Sequence, residues 1–201
     1  MIRVLLAEDQ DLVRGAMAAL LSLEPDIEVV AEVGRGDEVV EAAMTSRPDV
    51  ALLDIEMPGE DGIAAAARLR RALPACRVLM VTTFGRPGYM RRAMAGGASG
   101  FMLKDAPAQE LAVAIRRTAA GERVLDPHLA AQALSEGDSP LSPREAEVLV
   151  SAADGASIAE VARRLFLSEG TVRNHLSSAI QKLDAHNRME AIRVAEGKGW
   201  L

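Results

Sequence analysis

Four short apolar runs in this chain each end in residues that can hold a cation or a phosphoryl group. Ile2–Ala7 is followed by Glu8 and Asp9, and Val50–Leu53 by Asp54, with Glu56 two residues on. Val78–Val81 runs into Thr82 and Thr83, and Gly100–Leu103 into Lys104. If these runs lie side by side, side chains about a hundred residues apart converge. Three gathered carboxylates repel one another unless a cation joins them, and hard oxygen donors with room for water suit Mg2+. A carboxylate beside Mg2+ can act as a nucleophile toward phosphorus. A threonine hydroxyl and a lysine ammonium suit the phosphoryl oxygens. Acids at strand ends also serve as turn and capping residues, as Asp9 or Asp11 would at a helix start. The joint occurrence of these residue types at four run ends favours the chemical reading.

A second set lies toward the C-terminus. Thr171, Arg173, Asn174, Ser177, Ser178 and Lys182 form the outward face of a helical pattern whose inward positions are Val172, Leu176, Ile180 and Leu183. Arginine pairs with N7 and O6 of guanine, asparagine with N6 and N7 of adenine. Ser168, Thr171 and Lys182 suit phosphate oxygens, helped by the helix N-terminus that Ser168 opens. On an arbitrary helix the same face reads as solvated surface.

The elements that must position these residues follow from hydrophobic pattern. With Glu28–Val33, residues 1–120 hold five short apolar runs. Such runs fit strands buried on both faces of a parallel sheet. Between them, Leu12–Ala16–Leu20 and Val13–Met17–Leu21 make two helical rows ended by Pro25, and further helices fit about 37–46, 61–73, 87–96 and 107–119. The alternation predicts an α/β doubly wound (βα)5 domain with a parallel five-stranded sheet, its site at the carboxyl ends of the strands. Phe84-Gly85-Arg86-Pro87-Gly88 reads as a turn beside that site. Residues 121–139 become polar and Gly/Ser-rich, a linker with a short helix over Pro127–Leu134.

Residues 140–201 carry helix start signals. Ser142-Pro143-Arg144-Glu145 and Ser157-Ile158-Ala159-Glu160 are capping boxes, and Gly155 stops the first helix. Phe166-Leu167-Ser168 turns into a third helix, and a fourth follows Arg188. Two helices joined by a three-residue turn, the second with outward polar side chains, predict a small all-α helix-turn-helix domain.

The 201 residues are 49% hydrophobic and 26% charged, as in soluble globular proteins. A single cysteine, Cys76, excludes an internal disulfide, and its spacing from His128 and His186 makes no zinc site. Aromatics at 2% are too few for a base-stacking groove. No apolar run reaches the roughly 18 residues that span a bilayer. The first residues turn acidic too soon for a signal peptide. A cytoplasmic protein without a membrane partner is expected. The net charge of −6 opposes nucleic-acid binding taken whole, but residues 140–201 hold eight basic and eight acidic residues, so the acidity lies before them. Within 163–182, Arg163, Arg164, Arg173 and Lys182 face only Glu169. A neutral DNA-binding half binds weakly alone, which gives dimerisation a purpose.

Residues 1–120 resemble the receiver domain of bacterial response regulators. The likeness rests on Leu5-Leu6-Ala7-Glu8-Asp9, on Leu53-Asp54-Ile55-Glu56-Met57-Pro58-Gly59-Glu60-Asp61-Gly62, on Val81-Thr82-Thr83, and on Gly97 through Lys104. It implies that Asp54 accepts a phosphoryl group from the phosphohistidine of a sensor histidine kinase. It implies further that Glu8, Asp9 and Asp54 bind Mg2+ with the backbone carbonyl of Glu56. Thr82 would be the switch hydroxyl, Phe101 the switch aromatic and Lys104 the phosphate partner. Pattern alone reads Phe101 as core. Asp105 stands where many receivers carry proline, which leaves the isomer of the Lys104–Asp105 bond open.

Residues 140–201 resemble a LuxR-type helix-turn-helix on Leu141 through Leu149, Leu167 through Leu176, and Lys182-Leu183. The pair of domains resembles that of the NarL/FixJ response regulators. The run Thr82–Ala108 is similar to DesR-like members, which are associated with membrane-lipid desaturation genes. The resemblance implies a transcription regulator that is no enzyme beyond its own phosphoryl transfer and dephosphorylation. Its phosphorylated form would dimerise through the first, fourth and fifth helices and set two recognition helices about one DNA turn apart on double-stranded promoter DNA. RNA polymerase would be a further partner. Three rivals stand beside it. A phosphorylation-independent regulator has the same architecture. An aspartate-nucleophile phosphatase needs a second Asp where Glu56 stands. A LuxR-type ligand sensor needs an apolar pocket that the acids do not explain.

Overall fold

The computed structural model describes residues 1–83, 87–126, 130–131 and 139–201. Residues 84–86 of the expected turn, His128, and all but Ala130 and Ala131 of the helix expected over Pro127–Leu134 lie outside the described residues. The chain divides into two compact units, and the division falls after Ala131.

The N-terminal unit runs β1 (Ile2–Ala7), α1 (Asp11–Leu21), β2 (Ile27–Val33), a 3-10 turn at Gly36–Glu38, α2 (Val39–Ser46), β3 (Val50–Leu53), α3 (Gly62–Ala72), β4 (Arg77–Thr82), α4 (Pro87–Ala95), β5 (Gly100–Leu103), α5 (Ala108–Ala119) and β6 (Val124–Leu125). All pairings are parallel, in the order β2-β1-β3-β4-β5-β6. The chain leaves β1 toward β2 on one side and returns to β3 on the other, so strand order reverses between β1 and β3. There Ala7 pairs with Leu53, and the Asp54 N–H donates to the Ala7 carbonyl at 2.9 Å. Register alone therefore brings Glu8 and Asp54 to one rim. Likewise Thr82 pairs with Leu103, and the Lys104 N–H donates to the Thr82 carbonyl at 2.9 Å.

The sheet has six strands, not the expected five. Val124–Leu125, in the stretch read as linker, pair with Gly100–Phe101. They cover an edge of β5 whose N–H and C=O groups would otherwise stay unpaired. Two residues are too few for an alternation signal. Gly100 permits the approach, since a Cβ there would meet the Val124 carbonyl oxygen at 2.8 Å.

Helix α1 ends at Leu21, before Pro25, where the Ser22 hydroxyl donates to the Ala19 carbonyl at 2.7 Å. Of its two apolar rows only Val13–Met17–Leu21 packs on the sheet, with Leu111 and Ile115 of α5 and Val4, Leu6, Leu52 and Leu79 of the strands. The Leu12–Ala16–Leu20 row is exposed, Leu12 to 86%. A helix on a sheet buries one stripe, and α1 has apolar residues to spare beyond it. The alternate strand residues Leu5, Ala51 and Leu53 are wholly buried as well, so both sheet faces are covered.

The C-terminal unit comprises α6 (Pro143–Ala152), α7 (Ile158–Leu165), α8 (Glu169–Lys182) and α9 (Arg188–Lys198). Both expected capping boxes form, Ser142 with Glu145 and Ser157 with Glu160. Val148, Leu149, Val161, Val172, Leu176 and Ile192 make the centre of its core. Phe166, at φ 55, turns the chain from α7 to α8.

Candidate functional sites at the sheet rim and on helix α8

Glu8 and Asp54 are charged residues held almost entirely inside, 1% and 5% exposed, while Asp9 is exposed. One carboxylate oxygen from each of the three lies within 4.8 Å of the others. Lys104 Nζ is 2.5 Å from Glu8 Oε2 and 3.1 Å from Asp54 Oδ2. Its ammonium supplies the charge that lets two buried carboxylates coexist. Burial pushes the Glu8 carboxyl above the usual carboxylate range, although Lys104 pulls the other way. Burial also disfavours the Lys104 charge, but the carboxylates of Glu8 and Asp54 outweigh it and hold the ammonium above the ordinary lysine range. Asp54 Oδ1 accepts the Ile55 N–H at 2.8 Å, which orients Oδ2 toward Lys104. Beside them lies a cavity of about 110 Å³ lined by Asp9, Gln10, Asp54, Glu56, Thr82 and Thr83. Buried Thr82 thus stands at the same opening as the three acids. Phe101 is fully buried on β5, and the Lys104–Asp105 peptide is trans.

Two supporting residues had no role assigned from sequence. Arg14 donates from Nη1 to the Glu8 carbonyl at 2.6 Å and from Nη2 to Asp11 at 2.5 Å, tying α1 to the acidic turn. An arginine on an amphipathic helix reads as solvated surface, so nothing signalled it. Gly62 opens α3 with its N–H on the Ile55 carbonyl at 2.8 Å, and a Cβ there would stand 1.7 Å from the Asp54 carbonyl oxygen. Gly62→Ala is expected to displace the Asp54 strand end and cost about 1–3 kcal/mol, as overpacking does. A urea melt of the variant checks it.

On the C-terminal unit, the Ser168 hydroxyl accepts the Thr171 N–H at 3.1 Å and shares a hydrogen bond with the Thr171 hydroxyl at 2.8 Å, capping α8. Arg173, Asn174 and Ser177 are exposed along one stripe. Arg173 meets Glu169 at 3.1 Å, one turn back on the helix, an open surface pair of little worth. Gln181, four residues beyond Ser177, is also exposed and continues the stripe. Sequence alone does not rank the polar residues near 178–182, because their order on the surface depends on the helix rotation. Ser178 and Lys182, expected on the outward face, donate to buried Glu145 of α6 at 2.6 and 2.7 Å, and Lys182 is exposed as well.

Residues 4–116 match the response regulator receiver domain, and residues 139–195 match the bacterial regulatory proteins of the luxR family. The chain belongs to the NarL-type response regulators. The transcriptional regulatory protein DesR of Bacillus subtilis (strain 168) is 44% identical over the whole of both chains. The response regulator RamR of Streptomyces coelicolor (strain ATCC BAA-471 / A3(2) / M145) is 40% identical over all of this chain and 98% of its own. Among solved structures, the response regulator ChrA of a heme-sensing two-component system is 37% identical, with a TM-score of 0.59 over 100% of this chain and 98% of that one. This response regulator is thus a two-component protein that couples a receiver to a LuxR-type DNA-binding domain and acts in transcription regulation. No described helix of it is long and apolar enough to cross a membrane.

Proposed function

We propose that Asp54 of this response regulator is the phosphoacceptor for a sensor histidine kinase, and that its phosphorylation drives dimerisation and promoter binding. The observation that carries this is the placing of Asp54 Oδ2 at 3.1 Å from Lys104, on a cavity shared with Asp9 and Thr82. A carboxylate oxygen of Asp54 attacks phosphorus as the phosphorus–nitrogen bond to the kinase histidine breaks. Lys104 then exchanges a carboxylate oxygen for phosphoryl oxygens, and the Thr82 hydroxyl takes another. The donors also fit Mg2+. They are three carboxylates with hard oxygens beside a cavity with room for water. Glu8, Asp9, Asp54 and the Glu56 carbonyl would hold it, and when bound it offsets charge on the phosphoryl oxygens.

The phosphoryl group adds roughly −1.5 to −2 of charge at neutral pH. Thr82 moves toward it, and Phe101 shifts into the space Thr82 leaves, changing the surface of α1, α4 and α5 toward self-association. We assign residues 1–120 to the receiver, 121–139 to the linker with β6 docked on the sheet, and 140–201 to DNA binding. Arg173, Asn174 and Ser177 read base edges while Ser168 and Thr171 face phosphates. The partners are a sensor kinase, double-stranded promoter DNA, a second copy and RNA polymerase, all in the cytoplasm. The likeness to DesR directs the search for targets to membrane-lipid desaturation genes. A footprint on the duplex that the chain selects from a randomised pool tests this. Acetyl phosphate should strengthen protection at two half-sites about one helical turn apart, and Asp54→Asn should abolish the response. An Asp54→Asn protein that still dimerises and protects DNA on phosphodonor addition would overturn it.

A further inference from the structure

Glu145 opens α6 as the third residue of its capping box, yet its carboxylate does more than cap. It is 5% exposed and both oxygens are engaged. Oε2 accepts the Ser142 N–H and Lys182 Nζ, each at 2.7 Å, and Oε1 accepts the Ser178 hydroxyl at 2.6 Å. Burial alone would raise this carboxyl, but hydrogen bonds from Lys182, Ser178 and the Ser142 N–H outweigh it and bring it to about 2. One buried charge therefore joins the start of α6 to two successive turns of α8.

We infer that Glu145 is a positioning residue that sets the rotation of α8, so that DNA is read by the stripe Arg173, Asn174, Ser177 and Gln181, and Lys182 makes no phosphate contact. This rests on the DNA-reading role proposed above. At roughly 100° per residue, Lys182 lies about 180° round the helix from Arg173. Gln181 lies about 80° round, within the arc from Arg173 to Asn174. The two cations also differ in what leaving their partners costs. Arg173 and Glu169 are 61% and 51% exposed, so water replaces either partner cheaply. The Lys182 side chain is 39% exposed but that of Glu145 only 6%, so the lysine leaving would remove the cation from a buried carboxylate held otherwise by Ser142 and Ser178. Ser178 is held by the same group, which keeps that flank of α8 turned toward α6.

The test compares Arg173→Met, Lys182→Met, Glu145→Gln and Glu145→Gln/Lys182→Met on the duplex selected by the wild-type chain, across a salt series. Arg173→Met should flatten the slope of log affinity against log salt by about 0.9, as loss of one phosphate or base-edge cation does. Lys182→Met should weaken binding about ten-fold with the slope unchanged, as loss of one charged hydrogen bond would. Glu145→Gln should do the same, and the double variant should be no worse than either single one. Gln181→Ala should cut the preference for the selected duplex over a scrambled one about ten-fold. A Lys182→Met slope that falls like that of Arg173→Met, or additive losses at 145 and 182, would overturn the inference. Carbon NMR titration of Glu145 in the full wild-type chain decides the clamp without DNA and without variants. Titration near 2 supports it, and titration in the ordinary glutamate range refutes it. Failure of the wild-type chain to select any duplex would instead refute DNA reading, while the NMR result still judges the clamp.

Discussion

Lys104→Met should lower the stability of the N-terminal unit by about 3–5 kcal/mol at neutral pH, the usual consequence of removing one partner from a buried charged cluster. Its ammonium lies within 3.1 Å of both Glu8 and Asp54, and Glu8, 1% exposed and off the wall of the cavity, has no water at hand to replace it. The loss should depend on pH in a defined direction. Glu8 already titrates above its usual range because of burial, and without Lys104 it holds its proton to still higher pH. A folded state that binds protons more tightly than the unfolded chain gains stability as pH falls. The variant should therefore regain part of the loss on acidification from neutrality toward the ordinary glutamate value of 4.5. Millimolar Mg2+ should also restore part of it, because an ion that binds only the folded acids stabilises by mass action. Urea melts at neutral and mildly acid pH, with and without Mg2+, measure both. A loss that ignores pH and Mg2+ alike would refute the account.

Acid should weaken the C-terminal unit while sparing the acidic rim. The Glu145 carboxyl is pulled from 4.5 to about 2, so its contribution is complete above the unfolded value and drains away as pH falls from 4.5 toward 2. Its worth is about 2 kcal/mol, since the water that still reaches Lys182 screens the pair. Glu8 runs the opposite way, since protonation relieves the cost of burying it. Trp200 is the only tryptophan in the chain and packs against the C-terminal core, so its fluorescence reports this unit. In urea melts followed by this emission, the midpoint of the wild-type chain should fall as pH goes from 4.5 toward 2. Glu145→Gln should lack that limb and start from lower stability at neutral pH. An unchanged acid limb in the variant would show that another group carries it.

The rim was legible because four strand ends carry side chains that pattern cannot explain as core, and parallel register converts those ends into one place. The sixth strand was not, since Val124–Leu125 is shorter than any periodicity. The two rows of α1 were equally apolar, and a helical period cannot say which of two adjacent rows meets the sheet. Only packing against Leu111 and Ile115 settles that Met17 and Leu21 turn inward. On α8 the outward polar set was legible as a set, but its rotation was not. Glu145 was already accounted for by its capping box, so its second employment with Ser178 and Lys182 carried no separate signal. Arg14 and Gly62 show the same limit, because both act through backbone carbonyls, which have no letter in a sequence.

The pairing of Ala7 with Leu53 has a consequence for how chains of this kind can change length. A residue inserted within Ile2–Ala7 or Val50–Leu53 would slip one strand by one place and send every later side chain to the opposite sheet face. Glu8 and Asp54 would then leave opposite sides of the layer and could share neither a cation nor a phosphoryl group. Insertions and deletions are thus barred from these ten residues by geometry, whatever amino acid is added. Variation in length has to be absorbed where no carboxylate depends on the count.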